Sequence, residues 1–76
     1  MNIEQALRTR LLELLNERNM TMSELGKISH ISSSSLYDLK KNRTKVLKIS
    51  TVQQLCRGLE ITMAEFFSPD YFNDYE

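Results

Sequence analysis

Residues 20–41 read MTMSELGKISHISSSSLYDLKK, and within them one pattern occurs twice, eleven residues apart. Thr21 can cap a helix while Glu24, three residues on, reaches back to the N–H of the cap. Met20 and Leu25 flank that first turn as a hydrophobic staple. Ser32 repeats the cap and Ile31 and Leu36 repeat the staple, so a second helix begins directly after Ser29 and His30 and runs through Leu39 to about Lys41. Two capped helices with so short a joint cannot lie side by side. They cross steeply, a helix-turn-helix arrangement that frees the second helix to enter a DNA major groove.

The residues around the joint fit that reading. His30 accepts the left-handed backbone better than bulky residues do and reads as a turn residue rather than a switch or ligand. Gly26 sits inside the first of the two helices, where Gly costs about 1 kcal/mol relative to Ala. Either it is a plain weak spot, or a minimal side chain is required where the crossing helices come closest. The run of serines at 32–35 is open to a linker reading, since such runs connect things. Ile31, Leu36 and Leu39 bracket it at the spacing of a staple followed by one buried face, which favours a helix with a hydroxyl-lined tip. Asn42 suits a left-handed cap, and Lys40 and Lys41 suit the negative end of the helix dipole.

Toward the N-terminus, Ile3, Leu7, Leu11, Leu14 and Leu15 recur at helical spacing, with Arg8, Arg10, Glu13 and Glu17 off the stripe, which predicts a helix from 3 to about 19. Toward the C-terminus, 44–49 reads as a loop leading to Ser50, a possible cap with Gln53. Val52, Leu55, Cys56 and Leu59 then form one apolar face, on which Cys56 is most simply a small hydrophobe. Ile61 and Phe66 are staple, and Thr62 and Glu65 capping box, of a short last helix that plants Phe66 and Phe67 in the core before Ser68 and Pro69 end it. The tail PDYFNDYE is acidic but carries three aromatics, and it either docks on something or frays. The expectation is an all-α protein, a compact five-helix bundle over residues 1–67 with a short aromatic and acidic tail at 68–76.

Composition narrows the class. Seventy-six residues allow one domain, which buries only about 60% of its unfolded surface, so a tight bundle or an oligomer is required. One Cys and one His exclude an internal disulfide and a zinc site. The first fifteen residues interleave Glu4, Arg8, Arg10 and Glu13 with apolar ones, so they form neither a signal peptide nor a membrane span, and the expected compartment is the cytoplasm. No dinucleotide, phosphate-loop or zinc-protease motif is present and the one His has no nucleophilic partner, so an enzyme is not expected. Ten basic and ten acidic residues give zero formal charge, which argues against a nucleic-acid partner until their distribution is read. Lys40, Lys41, Arg43, Lys45, Lys48 and Arg57 fall within 40–59 with no acid, and Glu60, Glu65, Asp70, Asp74 and Glu76 follow with no base. The basic run is either a solvated loop or a phosphate contact, and its place after a groove-entering helix favours the second.

Thr21, Glu24-Leu25-Gly26, Ile31-Ser32, Leu36 and Leu39, with STVQQLCRGLEITMAEFF at 50–67, together resemble the lambda-repressor/Cro (XRE-type) helix-turn-helix family, in its short single-domain bacterial form, over roughly residues 7–67. The chain departs from the family pattern at Met22 (often Gln), Gly26 (usually Ala), His30 (usually Gly) and Glu60 (commonly Gly). The resemblance implies a sequence-specific, repressor-like transcriptional regulator that binds double-stranded DNA as a homodimer, with no cofactor, metal, membrane or evident small-molecule ligand. It places Ser33, Ser34 and Asp38 toward base edges, and Ser23, Ser35, Tyr37, Lys41, Arg43, Lys45 and Lys48 on the flanks and phosphates. Asp38 admits two readings: a hydrogen bond from the cytosine amine, discriminating by about 1–3 kcal/mol, or an exposed pair with Lys41 worth about 0.3–0.5 kcal/mol. The surplus of aromatics at Phe66, Phe67, Tyr71, Phe72 and Tyr75 marks the last helix and tail as the expected dimer surface. The alternative is a protein-interaction module of the same fold, antitoxin-like, which Met22 and the neutral charge favour and the basic run disfavours.

Overall fold

One three-residue joint, used three times, sets the directions of the helices. A polar residue takes the left-handed conformation, an apolar residue follows, and a hydroxyl residue comes third: Asn19-Met20-Thr21, His30-Ile31-Ser32 and Glu60-Ile61-Thr62, with φ of 51°, 58° and 58° at the three first positions. In each joint the N–H of the apolar residue returns to a carbonyl five residues earlier: Met20 to Leu15, Ile31 to Gly26 and Ile61 to Cys56, each at 3.0 Å. These are Schellman closures. Met20, Ile31 and Ile61 are also the staple residues of the helices that follow, and all three pack on the core. One side chain therefore closes one helix and opens the next.

The computed structural model describes residues 1–32, 36 and 48–74. Its elements are α1 (Ile3–Arg18), α2 (Met22–Ser29), α3 (Ile49–Leu59), α4 (Met63–Phe66) and a 3-10 turn (Asp70–Asn73), and the fold is all-α, with no strand among the described residues. Among the described residues stand four α-helices of the five expected. The helix expected over 32–41 lies outside the described residues apart from Ser32 and Leu36. Leu36 is helical and buried, and its N–H reaches the Ser32 carbonyl at 3.3 Å.

The core is built from Leu7, Leu11, Leu14 and Leu15 of α1, Leu25 of α2, Leu36, the face Val52, Leu55, Cys56 and Leu59 of α3, and Phe66. Burying one such leucine or phenylalanine contributes about 1.5–3 kcal/mol. Two details differ from the sequence expectation for α1. Ile3 is 57% exposed because it starts the helix beyond the edge of the core, and Ala6 is buried in its stead. The helix is opened by a capping box of Asn2 and Gln5, with N–H to oxygen distances of 2.9 Å in both directions.

The start of α3 also differs. Its N-cap is Lys48 rather than Ser50, no side chain caps it, and the expected Ser50–Gln53 box does not form. The first turn closes instead through backbone, from Thr51 and Val52 N–H to the Lys48 carbonyl at 3.0 and 3.1 Å, which places Ser50 inside the helix. The tail docks on its own chain. Phe72 and Phe67 meet edge to face with centroids 5.0 Å apart, Phe67 and Phe66 likewise at 4.9 Å, the Tyr71 hydroxyl donates to Glu13 of α1, and the Met1 ammonium donates to Asp74 at 2.8 Å. Phe66, Phe67, Tyr71 and Phe72 of the aromatic surplus thus pack on one another within one chain, Phe66 buried and the other three half-buried. Tyr75 lies outside the described residues.

Candidate nucleic-acid interface

The front half of the helix-turn-helix is built as its residues dictate. At the start of α2, Glu24 N–H donates to Thr21 Oγ1 at 3.1 Å and Thr21 N–H donates to Glu24 Oε1 at 3.0 Å. The Thr21 backbone N–H first and the Thr21 side chain second, with Lys27 helping, hold the Glu24 carboxyl below its ordinary range. At the end of α2, His30 N–H also returns to the Gly26 carbonyl. The chain leaves the helix at a fixed angle and reaches the Ser32 position with no slack.

Gly26 is the close approach. A Cβ built on it would stand 3.0 Å from Leu36 Cδ1 and 3.1 Å from the Ile31 carbonyl, so Leu36 meets α2 where the side chain is smallest. Leu25 and Leu36, 0% and 2% exposed, lock that contact into the core.

Two of the anticipated contact residues are described. Ser23 is exposed in the first turn of α2, and Lys48 is exposed at the N-cap of α3 with its side chain making no capping bond. Both stand at helix N-termini, where backbone N–H groups and the dipole favour an anion such as a phosphate. Ser33, Ser34, Ser35, Tyr37, Asp38, Lys41, Arg43 and Lys45, and the Asn42 cap, lie outside the described residues.

Other residues that position this half were not singled out by sequence. Gly58 of α3 passes α2 so closely that a Cβ there would be 2.3 Å from Ser29 Oγ and 3.3 Å from the Ile28 carbonyl. Arg10, expected off the apolar stripe, is nonetheless only 13% exposed along its side chain. Its guanidinium donates to the Phe66 and Glu65 carbonyls at 2.7 and 2.8 Å and so closes the end of α4. Gly58 could have been suspected from its place between Leu55 and Leu59 in a helix interior. Nothing in the local pattern marks Arg10. Cys56 is free and buried, as its stripe position implied, and burial pushes its thiol up against a smaller opposing pull from Arg10.

A small all-α chain whose second helix is boxed at its start, closed at its end by a left-handed residue and met at a glycine by the buried Leu36 has the features of the helix-turn-helix class of DNA-binding domains. The chain belongs to the Cro/C1-type HTH DNA-binding domain family, whose model matches residues 10–70. No curated protein and no solved structure matches it. No helix among the described residues is long and apolar enough to cross a membrane.

Proposed function

We propose that this DNA-binding chain is a sequence-specific transcriptional regulator of repressor type that works in the cytoplasm. The helix over 32–41 lies in the major groove, with Ser33, Ser34 and Asp38 at base edges. Ser23, Ser35, Tyr37, Lys41, Arg43, Lys45 and Lys48 hold the flanking phosphates. Two copies related by a two-fold axis read half-sites about 34–36 Å apart. The observation that carries the reading is the close approach of the buried Leu36 to Gly26 in the middle of α2. The N-terminus of α3, which no side chain caps and where Lys48 stands exposed, supports a phosphate role there.

Selection of bound sequences from a random duplex library tests the reading. A two-fold-symmetric site is expected, and Asp38→Asn is expected to alter base preference at one position in each half-site. Retention measured against salt gives the phosphate count, since each contact removed, Arg43→Ala for example, lowers the slope of log K against log salt by about 0.9. If no duplex is retained even at low salt, the protein-interaction reading, which the zero net charge favours, replaces this one.

A further inference from the structure

Below the helix-turn-helix joint, α2 and α3 leave a cleft of about 320 Å³ lined by Ile28, Ser29, His30, Gln54, Arg57 and Gly58. Its lining is unusual for a domain otherwise packed by leucines. Ser29 is 4% exposed, and its hydroxyl has no hydrogen-bond partner among the described residues. Such a group costs stability for as long as it stays unpaired. A side chain at 58 would displace it, because a Cβ there would lie 2.3 Å from the Ser29 oxygen, and the residue at 58 is glycine. The hydroxyl is packed against Gly58 at the floor of the cleft, buried and unpaired.

The chemistry of the lining is one-sided. Ser29, Gln54 and Arg57 supply hydroxyl, amide and guanidinium donors, His30 adds a ring N–H, Ile28 forms an apolar wall, and among the described residues no carboxylate lines the cleft. Donors without acids select an oxyanion, and the Arg57 fork matches a carboxylate or a phosphate. The Ile28 carbonyl, beside Gly58 at the end of α2, is an acceptor. A bare anion is partly opposed by that helix end. An oxyanion that also carries hydroxyl groups satisfies both sets, and the cleft is at the lower end of the size range for small-molecule sites.

We infer that the cleft between the ends of α2 and α3 is an effector site for a small hydroxylated oxyanion, a hydroxy acid or a polyol phosphate. His30 links it to the DNA-binding surface. It lines the cleft and is also the left-handed residue that ends α2, so an occupant touches the residue that sets the direction in which the chain leaves that helix. The coupling to operator affinity rests on the function proposed above, whereas the site itself does not. The two therefore fail separately.

The test is amide NMR titration of the DNA-free protein with glycerol 3-phosphate and with citrate, against glycerol and sodium chloride as controls. Saturable shifts at 28–30 and 54–58 are expected, with a dissociation constant of about 1 mM or tighter, the range open to so small a ligand. Arg57→Gln and Ser29→Ala should each weaken binding about tenfold, and circular dichroism verifies that both variants fold. Arg57 is exposed, so its replacement leaves the core intact. Linear, unsaturable shifts shared with chloride overturn the site. So does loss in Arg57→Gln with full binding in Ser29→Ala, since that is surface charge pairing alone. Lowered duplex affinity in Arg57→Gln with no binding of either free anion would make the cleft a DNA phosphate contact, and would likewise overturn it.

Discussion

The two ends of this molecule are fastened in opposite ways. Where α1 meets α4 and the tail, long side chains reach across: Arg10 to the carbonyls that end α4, Tyr71 to Glu13, and Phe72 onto Phe67. Where α2 meets α3 and the segment carrying Leu36, contact depends on side chains that are missing, at Gly58 and Gly26. Reaching contacts tolerate small shifts because flexible groups can follow. Glycine contacts fix the helix axes directly and allow no adjustment. A domain that must present one helix at a set angle places the second kind of contact under that helix.

The largest effect is expected at the reaching end. Arg10→Ala removes a charged donor from two carbonyls, one of them partly buried, and should lower stability by about 1.5–3 kcal/mol in urea unfolding. Arg10→Lys should recover little of this, because a point charge cannot serve two carbonyls as the guanidinium fork does. Full recovery by lysine would mean that charge near Glu13, and not closure of α4, is what matters.

At the glycine end the sign of the effect depends on a neighbour. Gly58→Ala gains up to about 1 kcal/mol of helix propensity but must displace the buried Ser29 hydroxyl, for a net loss of about 1–2 kcal/mol. On a Ser29→Ala background the same change should be neutral or stabilising. A double-mutant cycle reads the difference as coupling. Equal losses on both backgrounds would show that the Ile28 carbonyl, 3.3 Å from the added Cβ, is the real obstacle.

The joints give a smaller effect. His30 and Glu60 hold left-handed backbone where the family pattern has glycine, and both are exposed. Glu60→Gly should relieve strain and raise stability by about 0.5–1 kcal/mol in thermal unfolding, the usual glycine entropy penalty being outweighed. A loss instead would show that the Glu60 side chain contributes more than its backbone costs.

The same contrast explains what could be read from the sequence. Caps, staples and left-handed joints are local grammar, so Thr21, Glu24, His30, Thr62 and Glu65 announced themselves and their geometry follows. The buried faces of α1 and α3 were legible by period, except where Ile3 overhangs the core. Contacts between residues far apart in the chain were not. Arg10 looked like a solvated charge because its partners lie 55 and 56 residues away, and the partner of Gly58 was hidden because Ser29 belongs to another helix. The start of α3 misled for a different reason. Ser50 had the residue type of a cap, but a helix can begin on backbone bonds alone, and this one begins at Lys48.

The smallest effect separates docking of the tail from its mere presence. Tyr71 is half-buried and donates its hydroxyl to Glu13. Burial first, then that hydrogen bond, then the carboxylate charge raise its ionisation above the ordinary tyrosine range, with Arg10 pulling weakly the other way. The sign follows from linkage. A phenol whose folded pKa is raised stabilises fully below the unfolded value of about 10, and that contribution is lost as pH rises from there toward the folded value. Tyr71→Phe should therefore lower stability by no more than about 1 kcal/mol at neutral pH, since the hydroxyl is partly solvated. It should also flatten the decline in melting temperature above about pH 10, because the group that titrates is gone. Glu13→Gln should flatten the same limb less, since burial remains when the charge is removed. A variant whose alkaline limb matches the parent's would mean that the tail leaves α1 before Tyr71 ionises, and that Phe72, rather than the hydroxyl, holds it in place.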